Sequence, residues 1–272
     1  MKKERIDLLL VEQGLVESRE KAKRSIMAGL VLADGQRVDK AGMKVPVDAE
    51  LRLKGQESPY VGRGGLKLER ALQLFPLQVK DKIVLDVGAS TGGFTDCALQ
   101  HGASLVYAVD VGYNQLAWKL RRHEQVVVME RTNFRYAGLE DFTEGRPHTA
   151  VMDVSFISIR LMLPVIKSIL PAEGEVMALI KPQFEAGRED VGRKGIVRDP
   201  AVHERVIKEM IAFAESLGYA PKGIAPSPIR GGGGNREFLL YLTCSGEGSI
   251  TAGDIAEALH EQERSSLEGT DE

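Results

Sequence analysis

From residue 83 onward, short apolar segments alternate with longer segments whose apolar residues follow helical spacing. The short segments are rich in Val, Ile and Leu, as is typical of strands buried on both faces of a sheet. This alternation predicts an α/β fold, with a mostly parallel, Rossmann-like sheet between layers of helices. The predicted strands span residues 83–87, 105–110, 126–130, 149–154, 175–181, 219–225 and 237–243, with helices notably at about 160–169 and 201–217.

The start of the chain follows a different pattern, in which two helices precede several short strands. The first helical pattern ends at Gly14, and Ser18 is placed to cap the second helix. Asp34-Gly35 is a hairpin signal between short apolar segments. After a Pro/Gly-rich junction, a helix is predicted from about residue 66 to 74. The predicted organisation is an α+β domain over 1–57, a linker over 58–65, an α/β domain over 66–245 and a tail over 246–272.

Composition limits the class of protein. Of 272 residues, 43% are hydrophobic and 28% are charged, which suits a globular protein with a substantial core. No apolar run approaches the ~18 residues of a membrane helix, and the amino terminus lacks the apolar stretch of a signal peptide. We therefore expect a cytoplasmic protein that does not contact membranes. Cys97 and Cys244 are far apart and match no metal-binding spacing, so we expect buried thiols and no metal site.

The net charge of −3 hides an uneven distribution of charge. Residues 1–70 carry 15 Lys and Arg against 11 Asp and Glu, whereas residues 246–272 carry one Arg against eight acids. A basic front domain is typical of nucleic-acid binders. We expect the acidic tail to form only a weak helix, around residues 255–259, that frays into solvent.

One strand–loop–helix segment has the chemistry of a nucleoside site. Gly88 and Gly92 are spaced Gly-x-x-x-Gly, wider than in dinucleotide-binding loops, and Asp110 ends the next strand, where a carboxylate accepts ribose hydroxyls. This favours S-adenosylmethionine (SAM), with an unliganded strand and turn as the alternative. Asn133 could pair with the adenine edge or be a turn residue. The predicted cofactor contacts are Asp86, Gly88, Ala89, Ser90, Thr91, Gly92, Gly93, Phe94, Asp110 and Asn133.

Charged residues stand where apolar strands begin or end. Asp153 and Lys181 each lie at the end of a predicted strand, and Glu237 opens the last one. Because burying an ammonium group without a partner is expensive, we expect Asp153 and Glu237 to hold Lys181. Lys67 opens the helix at 66–74, where a cation gains nothing from the helix dipole. Taken singly, each residue could equally belong to a structural ion pair.

Two basic segments are candidates for contact with RNA. One is the second helix of the front domain, whose basic side chains could equally form a solvated helix face. The other is the loop over residues 185–199, directly after Lys181, for which a plain surface loop is the alternative. The basic residues predicted to bind RNA in these segments are Arg19, Lys21, Lys23, Arg24, Arg188, Arg193 and Lys194.

The motifs together resemble a known family. The pattern from Arg5-Ile6-Asp7 to Asp34-Gly35 is similar to the S4 RNA-binding domain. The motifs Gly-Arg-Gly-Gly-Leu-Lys67, Val-Met-Asp153-Val, Leu-Ile-Lys181-Pro and Asn-Arg-Glu237-Phe resemble the Lys-Asp-Lys-Glu tetrad of FtsJ-like ribose 2′-O-methyltransferases. With an S4-like domain in front, the chain looks like the TlyA family, often called haemolysin A, whose members methylate ribosomal RNA.

This resemblance implies a SAM-dependent methyltransferase whose partners are ribosomal RNA or ribosomal subunits. It implies that Lys181 stabilises the developing 2′-alkoxide or takes its proton, and that Lys67 holds the hydroxyl or an adjacent phosphate. Asp153 and Glu237 complete the catalytic set. The motifs also add Arg5 and Arg63 to the predicted RNA contacts.

Three other functions stay open at the level of sequence. Asp153 and Phe156 have the spacing of an acid and an aromatic residue that hold a flipped base, so a base-directed methyltransferase is one alternative. The lysines favour ribose as the target. A cytolysin is suggested only by the haemolysin name of the family, and a non-enzymatic RNA-binding regulator would have no need of the tetrad.

Overall fold

A computed structural model describes residues 3–47, 49–53 and 58–267, and the chain forms two compact units, Met1–Glu57 and Ser58–Glu272. The end of the predicted front domain, 54–57, and the end of the predicted tail, 268–272, lie outside the described residues. Each unit has a hydrophobic core of its own.

The first unit is a small α+β domain. Its elements are β1 (Lys3–Arg5), α1 (Ile6–Glu12), α2 (Arg19–Met27), β2 (Val31–Ala33), β3 (Gln36–Arg37), β4 (Lys44–Pro46) and β5 (Leu51–Leu53). Ser18 caps α2 as predicted, since its side chain accepts a hydrogen bond from the backbone N–H of Lys21. Asp34 and Gly35 make the turn between β2 and β3 with positive φ angles, as the hairpin signal predicted. The sheet order is β3–β2–β5, and β1 pairs with β4.

The second unit is an α/β domain around one sheet of seven strands. Its elements are α3 (Gly65–Leu74), β6 (Ile83–Val87), α4 (Gly93–Gln100), β7 (Leu105–Val109), α5 (Trp118–Arg121), β8 (Val126–Met129), β9 (Thr149–Met152), α6 (Leu163–Ile169), β10 (Glu175–Ile180), α7 (Pro182–Glu185), α8 (Pro200–Ser216), β11 (Ala220–Pro226), β12 (Phe238–Thr243) and α9 (Ala252–Leu267). The strand order is β8–β7–β6–β9–β10–β12–β11. Strand β12 runs in the direction opposite to the other six strands of this sheet, so the predicted mostly parallel, seven-stranded fold is confirmed.

The two-residue period of the strands places a core on each face of this sheet. Val84 packs in the core that includes residues of α3 and α4, whereas Leu85 packs in the core of α6 and α8 on the other face. Both side chains are completely buried. Continuous apolar strands are therefore what a sheet covered on both faces requires.

The order of the strands also fixes where a ligand can bind. Strand β6 lies between β7 and β9, so the chain leaves β6 toward one side of the sheet and later returns on the other. At such a switch point the loops after neighbouring strands diverge and leave a crevice at the carboxyl ends. The loops that begin at Gly88 and Asp153 border this crevice.

Two segments pack into the second unit where the sequence predicted a linker and a tail. Within the predicted linker, Tyr60 is buried and its hydroxyl donates to Glu69 (2.8 Å). Helix α9 covers most of the predicted tail, and Ile255 and Ala258 enter the core beside β11. The sequence did not predict this apolar contact because the segment is acidic overall, whereas the contact involves only one face of the helix. Among the described residues, no helix combines the length and the hydrophobicity that crossing a membrane requires.

Candidate active site

Two adjoining cavities lie at the carboxyl ends of the parallel strands. One of about 590 Å³ contains the four tetrad residues, and the other, of about 490 Å³, contains Asp110 and Asn133. Both are lined by Gly88, Ser90, Asp153, Ser155 and Phe156. We call them the tetrad cavity and the Asp110 cavity.

The four tetrad side chains form a continuous line of alternating charges. Nζ of Lys181 lies 2.5 Å from Oδ1 of Asp153, and Nζ of Lys67 lies 2.9 Å from Oδ2 of the same carboxylate. Lys67 also contacts Oε2 of Glu237 at 2.8 Å. The line therefore runs Lys181–Asp153–Lys67–Glu237 and is neutral as a whole.

The fold explains how residues so far apart in sequence meet. Asp153 follows β9 and Lys181 follows β10, its parallel neighbour, while Glu237 precedes β12, which runs antiparallel on the other side of β10. Lys67 comes from the first turn of α3, which packs against β12. Three of the four side chains are at most 8% exposed, and Asp153 is 18% exposed.

The two central charges of this line, on Asp153 and Lys67, are stabilised by their neighbours. Burial raises the pKa of Asp153, but the two ammonium groups outweigh it and hold the pKa below its ordinary value. Burial lowers the pKa of Lys67, and here the carboxylates of Asp153 and Glu237 outweigh it, so the pKa is raised. Both groups are consequently ionised at neutral pH.

The structure corrects one predicted pairing. We expected Glu237 to hold Lys181, but its carboxylate instead contacts Lys67, because α3 projects the Lys67 side chain between the two carboxylates. The second partner of Lys181 is Oγ of Ser155, at 2.9 Å. Lys67 is thus enclosed by carboxylates, while Lys181 stands at the outer end of the line.

The loop after β6 lines both cavities with its backbone and short side chains. A Cβ at Gly88 would lie 2.8 Å from the carbonyl oxygen of Asp153, and one at Gly93 would lie 2.8 Å from the backbone nitrogen of Gly65. These glycines therefore allow close packing of the loop against its neighbours. Ala89, Ser90, Thr91, Gly93 and Phe94 line the tetrad cavity, whereas Gly92 packs against Leu116 and Leu120 and lines neither cavity.

Asp110 fastens this loop and faces its own cavity. One of its carboxylate oxygens accepts the backbone N–H of Ser90 (2.8 Å) and the other that of Gly112 (2.7 Å). Asn133 lines the same cavity, and its side-chain oxygen accepts hydrogen bonds from Arg135. A strand-end carboxylate for a ribose and a partly apolar lining for a base are the features that an adenosyl group needs.

Asp86 does not lie where the sequence analysis expected it. It is fully buried and lines neither cavity, because strand alternation points its side chain toward α4. There it accepts a hydrogen bond from Oγ1 of Thr95 (2.6 Å), and burial raises its pKa to about 7. Asp86 therefore supports the loop from beneath rather than contacting a ligand.

Two of the predicted RNA contacts border the tetrad cavity. Arg63 and Lys194 line it, together with Arg230, which the sequence analysis did not single out. Arg193 lines a groove next to Lys194, and Arg188 is exposed but lines none of the cavities described. The structure thus gathers three cations around the tetrad.

In the first unit, the predicted basic residues divide into two groups. Arg5 (2.9 Å) and Arg19 (3.1 Å) both pair with Asp7, whose side chain is fully buried. The hydrogen bond from Arg5 is the main reason that the pKa of Asp7 falls to about 2. These two arginines therefore stabilise the unit itself. Lys21 pairs with Glu17, and Lys23 and Arg24 are exposed on α2.

Phe156 is a site residue that sequence reasoning considered only for another function. Its ring is 91% exposed, it lines both cavities, and its backbone has a φ of 63°, which is strained for a residue with a side chain. Phe184 lies tilted against it with the ring centres 5.1 Å apart. An exposed aromatic ring held in this way can stack on a nucleotide base.

Comparison with known proteins identifies both units. A model of the FtsJ-like methyltransferase family matches residues 60–244, and a model of the S4 domain matches residues 4–51. The chain belongs to the TlyA family of FtsJ-like methyltransferases. A Mycobacterium tuberculosis relative, the 16S/23S rRNA (cytidine-2′-O)-methyltransferase TlyA, is 40% identical over 94% of this chain and 96% of its own.

Other members of the family are more similar still. YqxC of Bacillus subtilis, which carries an rRNA methyltransferase name, is 64% identical over 91% of this chain and 88% of its own. A solved structure from Streptococcus thermophilus, which carries a hemolysin name, is 52% identical, covers 100% of both chains and has a TM-score of 0.79. Membership of this family confirms the predicted enzyme class, a methyltransferase, and SAM as its cofactor.

Proposed function

We propose that this TlyA-family protein transfers a methyl group from SAM to a ribose 2′-hydroxyl of ribosomal RNA. The observation that carries the proposal is the buried line Lys181–Asp153–Lys67–Glu237, which borders the Asp110 cavity. The names of the relatives support the same reaction and substrate. The proposed partners are ribosomal RNA or ribosomal subunits.

SAM, when bound, supplies an electrophilic methyl group. A ribose hydroxyl is a weak nucleophile at neutral pH, so the protein has to position it and lower the cost of losing its proton. Lys181 stands at the outer end of the line and has one N–H direction left after Asp153 and Ser155. We assign Lys181 the role of assisting loss of the 2′-hydroxyl proton. It would act either as a fixed positive charge that stabilises the developing alkoxide or as the group that accepts the proton.

The remaining members of the tetrad act as positioning residues. Asp153 holds both lysines, and Glu237 also holds Lys67. Movement of Lys67 out of the site would leave buried Glu237 without this cation, and movement of Lys181 would break its ion pair with Asp153. Asp110 and Asn133 are the residues that would hold the ribose and base of SAM. Phe156 offers its exposed ring to the target nucleotide.

This geometry disfavours a base-directed methyltransferase. Such enzymes use the acid of an Asp-x-x-Phe segment to accept a hydrogen bond from the base. Here the two oxygens of Asp153 are each in contact with a lysine, at 2.5 Å and 2.9 Å. An acid already held by two cations is poorly placed to recognise an amino group.

The decisive experiment maps the product. Ribosomal RNA and separate ribosomal subunits from a strain lacking the enzyme are incubated with labelled SAM, and positions resistant to alkaline cleavage are located. A 2′-O-methyl group blocks that cleavage because the 2′-oxygen is its nucleophile. Label on a base, with the ribose still cleavable, would overturn the proposal.

A matched pair of variants tests the role of the tetrad. Lys181→Met should lower kcat by ~10²–10³, the value of one preorganised charge at an oxyanion, and leave SAM binding intact. Lys80→Met removes an exposed lysine before β6, at the opposite end of the sheet, and should leave kcat unchanged. Full methyl transfer by Lys181→Met would refute the assignment.

A further inference from the structure

A third cavity, of about 290 Å³, lies beside the tetrad cavity and is lined by three arginines. We propose that it holds a backbone phosphate of the RNA substrate, next to the target nucleotide. Arg198, Arg230, Arg236 and His203 line it, and we call it the arginine cavity. The inference rests on the proposed function for the identity of the substrate, and it assigns a role to residues outside the tetrad.

Among the described residues that line the arginine cavity, the ionisable side chains are its three arginines and His203. Among the described residues that line it, none is a carboxylate. Asp199 lies in the neighbouring groove, where its side chain accepts the backbone N–H of Ala201 at 2.9 Å. A guanidinium presents its N–H groups as a planar fork that matches the oxygens of a phosphate, so three of them around one cavity favour that anion.

The arginines differ in how the protein holds them. Arg236 is only 9% exposed and donates to the backbone carbonyl of Leu259, and Arg230 donates to that of Gly234 at 3.2 Å. These bonds fix two guanidinium groups at the cavity. Arg198 is exposed, and in the described part of the chain it makes no hydrogen bond or ion pair. It is the side chain that can close on an incoming phosphate.

His203 adds a buried group that responds to charge in the cavity. It is 1% exposed, and its Nε2 lies 3.1 Å from the carbonyl oxygen of Val197, so Nε2 carries the proton. Nδ1 is buried and has no hydrogen-bond partner among the described residues. Burial and the charges of Arg236 and Arg230 lower the pKa of His203, and they outweigh the hydrogen bond to Val197 and the charge of Asp199, which raise it. An anion in the cavity would reverse part of this effect.

The position of the cavity suits a phosphate of the substrate. Arg230 lines both the arginine cavity and the tetrad cavity, so the two are direct neighbours. An RNA strand that places a ribose at Lys181 carries a phosphate on each side of that nucleotide. Arg63 and Lys194 border the tetrad cavity itself, which leaves the arginine cavity for the next phosphate along the strand.

Kinetics of the full chain with ribosomal RNA test the inference. Arg198→Gln should raise the KM for RNA several-fold and leave kcat and the Kd for SAM unchanged, because Arg198 lines neither the tetrad cavity nor the Asp110 cavity. The slope of log K against log salt should fall by ~0.7–0.9, the value of one lost phosphate contact. Lys80→Gln, an equal loss of charge at the other end of the sheet, is the control and should change neither quantity.

An NMR titration tests the anion itself. Inorganic phosphate should raise the pKa of the His203 imidazole in the wild type and in Lys80→Gln, and have a smaller effect in Arg198→Gln. No response in the wild type would overturn the anion site. A response to phosphate combined with an unchanged KM and salt slope in Arg198→Gln would overturn its role in RNA binding.

These outcomes stay distinct from failure of the proposed function. If the wild type methylates no ribose in any RNA, the proposed function fails, and the role of Arg198 in RNA binding is measured directly as Kd against salt. If ribose is methylated and Arg198→Gln behaves like the wild type, only the present inference is lost.

Discussion

Asp153 is the residue on which both lysines of the tetrad depend, and its change to Asn gives the sharpest test of the site. Asn keeps the size and shape of the side chain but removes the charge. Among the described residues, Lys67 would then keep Glu237 as its charged partner, and Lys181 would keep only uncharged ones, the hydroxyl of Ser155 and the amide oxygen of the new side chain. The line of alternating charges would be cut at its centre.

The effect on stability follows from the burial of the site. Removing one partner from a buried ion pair costs about 3–5 kcal/mol, because it leaves an uncompensated charge. An ammonium group without its partner avoids this cost if it loses its proton. For a lysine of ordinary pKa, deprotonation costs about 5 kcal/mol at pH 7 and about 2 kcal/mol at pH 9. The destabilisation by Asp153→Asn should therefore shrink as the pH rises.

The effect on catalysis should match the loss of one preorganised donor at an oxyanion. A mobile or neutral Lys181 no longer stabilises an alkoxide, so we expect kcat to fall by ~10²–10³. Single-turnover methyl transfer from labelled SAM to bound RNA measures this step without product release. The Kd for SAM should stay within about threefold of the wild type, since Asp110 and Asn133 are unchanged.

A control separates the tetrad from ion pairs in general. Glu209 pairs with Arg160 at 2.9 Å on the surface, where both side chains are more than a third exposed. Glu209→Gln should cost less than about 1 kcal/mol and leave kcat unaffected. Wild-type kcat in Asp153→Asn, or a loss of stability that is the same at pH 7 and pH 9, would refute the reasoning.

Three further predictions concern other parts of the chain. Asp110→Ala should weaken SAM binding by about 1.5–3 kcal/mol in calorimetry; unchanged binding would remove Asp110 from the site. The double change Lys23→Glu and Arg24→Glu should lower RNA affinity and its salt dependence without altering SAM binding, and equal affinity at all salt concentrations would remove α2 from the interface. Because folding raises the pKa of Asp86 to about 7 from an ordinary 3.8, the folded state keeps this proton to a higher pH, and the contribution of Asp86 to stability should fall as pH rises between these values. Urea unfolding at pH 5 and pH 7 should show that Asp86→Asn removes this loss.

The choice of Lys23 and Arg24 shows what the sequence of the first unit could not supply. Helical spacing correctly identified the basic face of α2, and Arg19 belongs to it by position. Asp7, twelve residues earlier, is fully buried beneath that arginine. Reversing the charge of Arg19 would therefore place two carboxylates together and destabilise the unit. Only the packing of α1 against α2 reveals this difference.

In the second unit, the sequence predicted correctly those features that depend on hydrophobic periodicity and on the order of strands along the chain. Apolar strands followed by Asp153 and Lys181 place both residues at one edge of a parallel sheet, whatever their exact register. Asp86 lies one residue before the end of β6, and the two-residue period turns its side chain toward α4. The bounds of this strand were predicted correctly as 83–87, but the face on which residue 86 lies was not considered, so a buried support was taken for a ligand contact.

The pairing of Glu237 could not be predicted for a different reason. Lys67 and Glu237 are 170 positions apart and belong to a helix and a strand whose contact is set by packing of the whole domain. Local sequence shows that a buried lysine needs a carboxylate, but not which of two carboxylates it meets. The consequence is chemical as well as structural. With Lys67 enclosed between Asp153 and Glu237, any loss at Glu237 reaches Lys181 only through two intervening residues, Lys67 and Asp153. Glu237→Gln should therefore act on the same step as Lys67→Met, and combining them should cost little more than either alone.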